Sequence, residues 1–206
     1  MTRILAILAA VLVAAFLGIT AGFVFMRGPS DAFAECRTGS MAGASSVGGP
    51  FTLVDKTGAE VTDTDVITEP SLVYFGYTFC PDVCPMDNSR NVEAIDLLNE
   101  MGISATPIFI SIDPERDTPE VVGDFAENFH PKMIGLTGSP AQVKAASQAY
   151  KTYFRAQKDG DDPYYLVDHS TFTYLVLPES GFVQFFTREN TAQEIAESVS
   201  CFINAS

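Results

Sequence analysis

Apolar and polar residues alternate with different spacings along the chain, and each spacing predicts a different secondary structure. The run from Leu72 to Tyr77 is continuously apolar, which is typical of a strand buried on both faces of a sheet. After Pro85, apolar residues recur at helical spacing as far as Gly102, and glycine commonly ends a helix. Residues 106–113 form a second buried run. This order of strand, helix and strand indicates an α/β sheet.

The flanking segments extend the same sheet. Residues 51–62 contain two short apolar runs around a turn at residues 55–58, which predicts a β-hairpin. Downstream, the pattern predicts a helix from Thr118, a short strand at 133–136, a helix from Ser139, an irregular segment at 151–170, a second hairpin and a final helix capped by Thr191 and Glu194. The core stripe of the first of these helices is predicted to be Val121, Val122, Phe125 and Phe129. We therefore expect parallel and antiparallel strands with helices on both faces.

The amino-terminal region has a different composition. Residues 4–26 hold no charged side chain and are long enough to cross a bilayer as one helix. This run exceeds the roughly 7 to 15 apolar residues of a signal peptide, so we predict an uncleaved anchor at residues 1–27, with cleavage after residues 32–34 as the alternative. Residues 28–47 are rich in Gly, Ser and Ala and predict a flexible tether, which leaves residues 48–206 as one globular domain.

Charge excludes one class of partner. All 26 acidic residues follow the apolar run, whereas Arg3 and Arg27, two of the 12 basic residues, flank it, so the rest of the chain carries a net charge of −16. Because nucleic acid is a polyanion, we expect no nucleic-acid partner.

Cys80 and Cys84 are the first candidates for chemistry. Cys80 lies just after a predicted strand and Cys84 where the next helix begins, so both sulfurs are expected beside a helix N-terminus, which lowers thiol pKa values. Side chains four residues apart on a helical turn face the same way. The pair is compatible with a metal clamp, a redox couple or a peroxidatic thiol, and the spacing does not choose between them.

A metal site needs a third ligand, and the chain has two histidines. His130 lies between a predicted helix and a proline and is interpreted as a loop residue. His169 immediately precedes a predicted strand and follows the irregular segment, where sites are common in α/β domains. Taken alone, His169 is either a ligand or a hydrogen-bonded histidine without a metal.

Three sequence blocks resemble those of the Sco/SenC family: GYTFCPDVCP, SIDPERDTPE and VDHSTFTYLVLPESG. The resemblance covers residues 48–203, and the third block departs mildly in having Leu177 before Pro178. It implies a thioredoxin-like sheet with flanking helices and an added N-terminal β-hairpin, preceded by one transmembrane helix. It also implies that Cys80, Cys84 and His169 are ligands of one copper ion.

The function implied by the resemblance is that of a copper metallochaperone. Such a protein delivers Cu(I) or Cu(II) to the CuA centre of a cytochrome c oxidase subunit, and another chaperone is a possible copper donor. The family also implies attachment to the inner membrane, with the domain in the periplasm or an equivalent intermembrane space. Independently, two thiolates and an imidazole suit Cu(I), and three protein ligands leave the ion accessible for transfer. Asp82 and Asp168 are candidates for tuning such a site from its outer shell.

Two other functions use the same cysteines. A dedicated thiol–disulfide oxidoreductase would reduce the acceptor's cysteines. A general thioredoxin would have Cys-x-x-Cys and a cis-proline just before the strand that starts near Phe172. Here the spacing is Cys-x-x-x-Cys and no proline lies between Pro163 and Pro178, so this function is less favoured. A thiol peroxidase would have Pro and Thr where Val73 and Tyr77 stand.

The remaining cysteines, Cys36 and Cys201, are predicted to form a structural disulfide. On the final helix Ile195, Val199 and Phe202 form the core stripe, whereas Cys201 falls on the polar face. Cys36 lies in the tether, where no core is available. Pairing them would fasten the start of the tether to the last helix.

Overall fold

The computed structural model describes residues 12–20, 32–37, 46–158, 160 and 163–206. The chain divides into two units, Met1–Glu35 and Cys36–Ser206. In the first unit, residues 12–20 are helical (α1). None of the helices within the described ranges combines the length and apolarity needed to cross a membrane. Most of the predicted anchor at 1–27 and of the tether at 28–47 lies outside the described residues.

The second unit is built on a five-stranded mixed sheet with the strand order β5-β4-β3-β8-β9. Its strands are β3 (Ser71–Gly76), β4 (Thr106–Ser111), β5 (Ile134–Leu136), β8 (Thr173–Leu177) and β9 (Gly181–Phe186). Strands β3, β4 and β5 are parallel, whereas β8 runs antiparallel to β3 and to β9. Every residue of β3, β4 and β8 is buried, which explains their continuous apolar sequences.

Helices connect and cover these strands. They are α2 (Asp63–Val66), α3 (Val83–Glu100), α4 (Pro119–Phe129), α5 (Pro140–Ala149) and α6 (Ala192–Ala205). Helix α3 joins β3 to the parallel strand β4 and packs against α6, and α4 packs against β5. The predicted helix starts at Thr118, Ser139 and Thr191 are observed as N-caps, each accepting a backbone hydrogen bond on its side chain.

Two further strand pairs lie outside the central sheet. The predicted amino-terminal hairpin is present as β1 (Thr52–Val54) and β2 (Glu60–Thr62). Residues 151–170, predicted to be irregular, instead contain β6 (Phe154–Ala156) and β7 (Val167–His169) in a two-stranded sheet. Ten residues separate Ala156 from Val167, which is more than the two to five residues between strands that mark a hairpin in a sequence.

The predicted core stripe of α4 was partly wrong. Val121 is 40% exposed, whereas Val122, Gly123 and Ala126 are buried. Gly123 takes a core position because a Cβ there would lie 2.5 Å from the Cβ of Lys56. Phe125 and Phe129 are partly buried and pack against the core as predicted, so Val121 is the residue of the stripe that faces solvent.

Cys36 and Cys201 are joined by a disulfide, with their Cα atoms 5.7 Å apart. Cys36 is 8% exposed although it belongs to the tether region, and Ile195, Val199 and Phe202 of α6 are fully buried. The disulfide thus closes a loop of 165 residues around the whole second unit.

Candidate metal centre

The two cysteines that are free lie where strand β3 passes into helix α3. The chain leaves β3 at Gly76, and Cys80 occupies the connecting loop, where its backbone N–H donates to the carbonyl of Tyr77. Cys84 is the second residue of α3. The Cys84 N–H points at the Cys80 sulfur over 3.3 Å. Strand end and helix start together therefore bring both sulfurs to the carboxyl edge of the sheet.

His169 reaches the same place from the other side. It is the last residue of β7, and its Nε2 lies 3.4 Å from the Cys84 sulfur. Its Nδ1 is 2.8 Å from the carbonyl oxygen of Ser170, which only accepts hydrogen bonds. In the neutral ring this contact places the proton on Nδ1 and leaves the Nε2 lone pair free to bind a metal.

The ligand atoms of Cys80, Cys84 and His169 all lie within 4.8 Å of one another. Among the described residues, this is the cluster of cysteine, histidine or acidic side chains able to hold a metal ion. Sequence reasoning proposed these three residues, and the fold brings them together. His130 lies elsewhere, next to Asp96, with its Nδ1 accepting from the N–H of Lys132.

Close packing fixes the sulfurs and the imidazole. A Cβ at Gly76 would lie 2.9 Å from the Cys84 sulfur, so only glycine leaves room for that thiol. The rings of Tyr74 and Tyr77 meet the imidazole edge to face, with centroids 6.2 and 5.9 Å away. Both tyrosines are buried, and they form an apolar wall that restricts rotation of His169.

The two thiols differ electrostatically. A hydrogen bond from the Cys84 thiol lowers the pKa of Cys80 to about 4, and the backbone N–H groups of Cys84 and Asp82 act in the same direction. The same thiol–thiol hydrogen bond, together with burial, raises the pKa of Cys84. The thiol–thiol hydrogen bond therefore makes Cys80 the more acidic thiol of the pair.

The two acids proposed from the sequence as outer-shell groups lie at the surface of the domain. Asp82 and Asp168 are both exposed, and Asp168 accepts a hydrogen bond from Gln157 over 2.7 Å. The buried acid is Asp87, one turn beyond Cys84, which accepts from the Tyr74 hydroxyl over 3.0 Å. Burial raises the pKa of Asp87, although the Tyr74 hydrogen bond and nearby arginines oppose this.

A second buried acid, Asp117, supports the loop of residues 77–82 that carries Cys80, called the cysteine loop below. Its carboxylate accepts from the backbone N–H and the hydroxyl of Thr78, two residues before Cys80, and from the hydroxyl of Ser111. Sequence reasoning missed Asp87 and Asp117. The available signal for Asp87 was its place on the face of α3 that also carries Ile95 and Leu98, since burial of an acid requires partners. Asp117 lies in the β4–α4 connection, where the sequence offers no such signal.

Comparison with known proteins agrees with this geometry. The sequence profile described as SCO1/SenC matches residues 39–204. Protein SenC of Rhodobacter capsulatus is 52% identical over 204 residues, which cover 99% of this chain and 91% of that protein.

Solved structures give the same result. Arabidopsis thaliana ScoI with copper bound is 39% identical and superposes with a TM-score of 0.72, over 77% of this chain and 99% of that one. BsSco, described as having a disulfide switch and as a member of the Sco family of cytochrome c oxidase assembly proteins, is 25% identical with a TM-score of 0.59, over 76% and 93% of the two chains.

Proposed function

The chain belongs to the SCO1/SenC family, and from this membership we propose that it is a copper metallochaperone that delivers copper to the CuA centre of cytochrome c oxidase. Copper is the cargo, bound as one ion per chain by Cys80, Cys84 and His169. Another chaperone that hands over copper is the partner on the donor side. The acceptor is the oxidase subunit that carries CuA.

The observation that carries this proposal is the convergence of two sulfurs and the Nε2 of His169 within 4.8 Å. Two soft thiolates and one imidazole form a ligand set that suits copper, particularly Cu(I). The Nδ1 contact with Ser170 fixes the tautomer that binds through Nε2.

The burial of the ligands is consistent with delivery. Cys84 is fully buried and Cys80 is 6% exposed, whereas His169 is partly exposed. An acceptor ligand would therefore approach from the side of Cys80 and His169. It would replace the bonds from copper to these two residues before it replaces the bond to Cys84.

A thiol–disulfide oxidoreductase is the second candidate function. The observation that favours it is the adjacent pair of free cysteines, in which the Cys84 N–H and thiol stabilise a thiolate on Cys80. In this role the protein would reduce the acceptor's cysteines before copper arrives, and His169 would not be required.

For location, we propose a single-pass inner-membrane anchor at residues 1–27, a tether at 28–47 and a domain at 48–206 in the periplasm or an equivalent compartment. The Cys36–Cys201 disulfide supports an oxidising compartment. Alkaline carbonate extraction should leave the protein in the membrane pellet, with the domain accessible to protease from the outer face. A soluble mature form that begins near Glu35 would contradict the anchor.

Copper titration tests the site. The full-length chain should bind one Cu(I) in competition with a chromophoric chelator, and Cys80→Ala, Cys84→Ala and His169→Ala should each lower the affinity at least about tenfold. His130→Ala is the matched control and should bind like the wild type. Full occupancy in a Cys80→Ala, Cys84→Ala double variant would overturn the site.

His169→Ala separates the two functions. In cells at limiting copper, this variant should be folded and cycle between dithiol and disulfide, yet fail to support the CuA centre. Near-normal CuA content and oxidase activity would instead assign the function to thiol reduction.

A further inference from the structure

One arginine lies between the two segments that carry the proposed ligands. Arg116 belongs to the turn between β4 and α4, and its guanidinium carbon lies 3.7 Å from the ring centroid of Tyr165. It also lies 4.9 Å from the ring centroid of Phe79. Phe79 directly precedes Cys80, and Tyr165 belongs to the segment that ends at His169. The guanidinium thus contacts both segments at once.

Polar contacts fix this arrangement. Arg116 Nη1 donates to the carbonyl of Pro163 over 3.2 Å, and Nε pairs with the carboxylate of Asp113. The other oxygen of Asp113 accepts from the Tyr165 hydroxyl over 2.7 Å. Asp113 is 4% exposed and Tyr165 is 8% exposed, so the hydrogen bond between these two side chains is shielded from water.

The strand that carries His169 is not one of the five strands of the central sheet. Strand β7 pairs with β6 in a separate two-stranded sheet, in which His169 lies opposite Phe154. Pairing within that sheet fixes His169 relative to β6, but does not fix either strand relative to the cysteine loop. Contacts of residues 163–169 with the rest of the domain do so: Val167 packs in the core, His169 meets the ring of Tyr77, and Arg116 holds Pro163 and Tyr165.

We propose that Arg116 is a positioning residue that holds the histidine-bearing segment against the cysteine loop and so sets the distance from His169 Nε2 to the two sulfurs. This inference rests on the proposed copper site. A planar guanidinium is suited to the role, because it stacks on a ring and donates in its own plane at the same time. Arg116 acts through His169 and does not itself touch the metal.

A double-mutant cycle separates positioning from general stabilisation. Cu(I) affinity is measured by chelator competition for the full-length wild type, Arg116→Met, His169→Ala and the double variant. Methionine preserves much of the apolar stem but removes the guanidinium. Arg116→Met should lower the affinity about tenfold when His169 is present, as expected for loss of a group that orients a ligand. It should change the affinity less than about twofold when His169 is absent, because nothing remains to be positioned.

Two further variants sharpen the cycle. Arg155→Met replaces an exposed arginine on β6, the strand that pairs with β7, and as the matched control it should leave the affinity unchanged. Arg116→Lys keeps the charge and the apolar stem. It should still lower the affinity, because an ammonium group cannot stack flat on the Tyr165 ring while donating hydrogen bonds in the plane of the stack. It serves in place of Arg116→Met if that variant does not fold.

Hydrogen exchange in copper-free protein gives an independent readout. The amide of Gln157 donates over 2.8 Å to the carbonyl of Leu166, the residue after Tyr165, so its exchange reports on opening of the chain next to the ring on which Arg116 stacks. Arg116→Met should accelerate exchange at Gln157 while the amides of β3 and β4 remain protected.

Equal losses of affinity with and without His169, or unchanged exchange at Gln157, would overturn the positioning role. If His169→Ala itself binds copper like the wild type, the proposed ligand set fails. In that case the exchange measurement still decides whether Arg116 holds the segment.

Discussion

At the scale of single residues, Cys80 and Cys84 lie side by side with opposite pKa shifts. The folded pKa of Cys80, about 4, is below the roughly 8.5 of an unfolded thiol, so its thiolate stabilises the fold at high pH and that stabilisation is lost as pH falls through the folded value. The shift at Cys84 is upward, so its contribution is present below the unfolded pKa and is lost as pH rises beyond it.

We therefore predict that the free energy of unfolding of reduced, copper-free wild type exceeds that of Cys80→Ser by a margin that grows between about pH 5 and about pH 8. Chemical unfolding across this range measures the margin, and the ultraviolet absorbance of the thiolate reports the titration directly. A margin independent of pH would show that Cys80 has an ordinary pKa.

Gly76 gives a second prediction at this scale. A Cβ there would lie 2.9 Å from both the Cys84 sulfur and Cε1 of Tyr74. Gly76→Ala should lower the free energy of unfolding by about 1–3 kcal/mol through overpacking, and should also weaken Cu(I) binding because the sulfur must move. Chemical unfolding and chelator competition measure the two effects, and unaltered copper affinity would contradict the expected displacement of the sulfur.

At the scale of secondary structure, α6 begins with a complete capping box. Thr191 accepts from the N–H of Glu194 over 3.2 Å, and the Glu194 carboxylate accepts from the N–H of Thr191 over 2.9 Å. Thr191→Ala should therefore lower the free energy of unfolding by about 1 kcal/mol. Its contacts are confined to the first turn of α6, so Cu(I) affinity should not change. This variant is also the control for Gly76→Ala, since it separates loss of stability from loss of the site.

At the scale of the whole molecule, the Cys36–Cys201 disulfide closes a loop of 165 residues. Replacing both cysteines by alanine should lower the free energy of unfolding by roughly 2–5 kcal/mol, because the unfolded chain regains the entropy of an open loop. Chemical unfolding with and without a reductant measures this, and the reductant should have its effect on the wild type and not on the variant. Equal sensitivity of the two proteins to reductant would assign the effect to the Cys80–Cys84 pair.

The sequence by itself determined the succession of the central strands and the long helices along the chain, because these elements depend on local periodicity and on caps a few residues apart. Thr118, Ser139 and Thr191 were recognisable for that reason. It also determined the position of Cys80 and Cys84 beside a helix start, since both belong to one strand–helix connection. The polar face of α6 marked Cys201 as a disulfide cysteine.

Only the tertiary structure decided how distant segments meet. Cys84 and His169 are 85 residues apart in sequence, yet a sulfur and a nitrogen from them approach to 3.4 Å. The β6–β7 pair, the buried Asp87 and the exposed Val121 likewise depend on which neighbours pack against them. Periodicity reports the two faces of one element, whereas burial and ligand distances result from the packing of several elements, and no single segment contains that information.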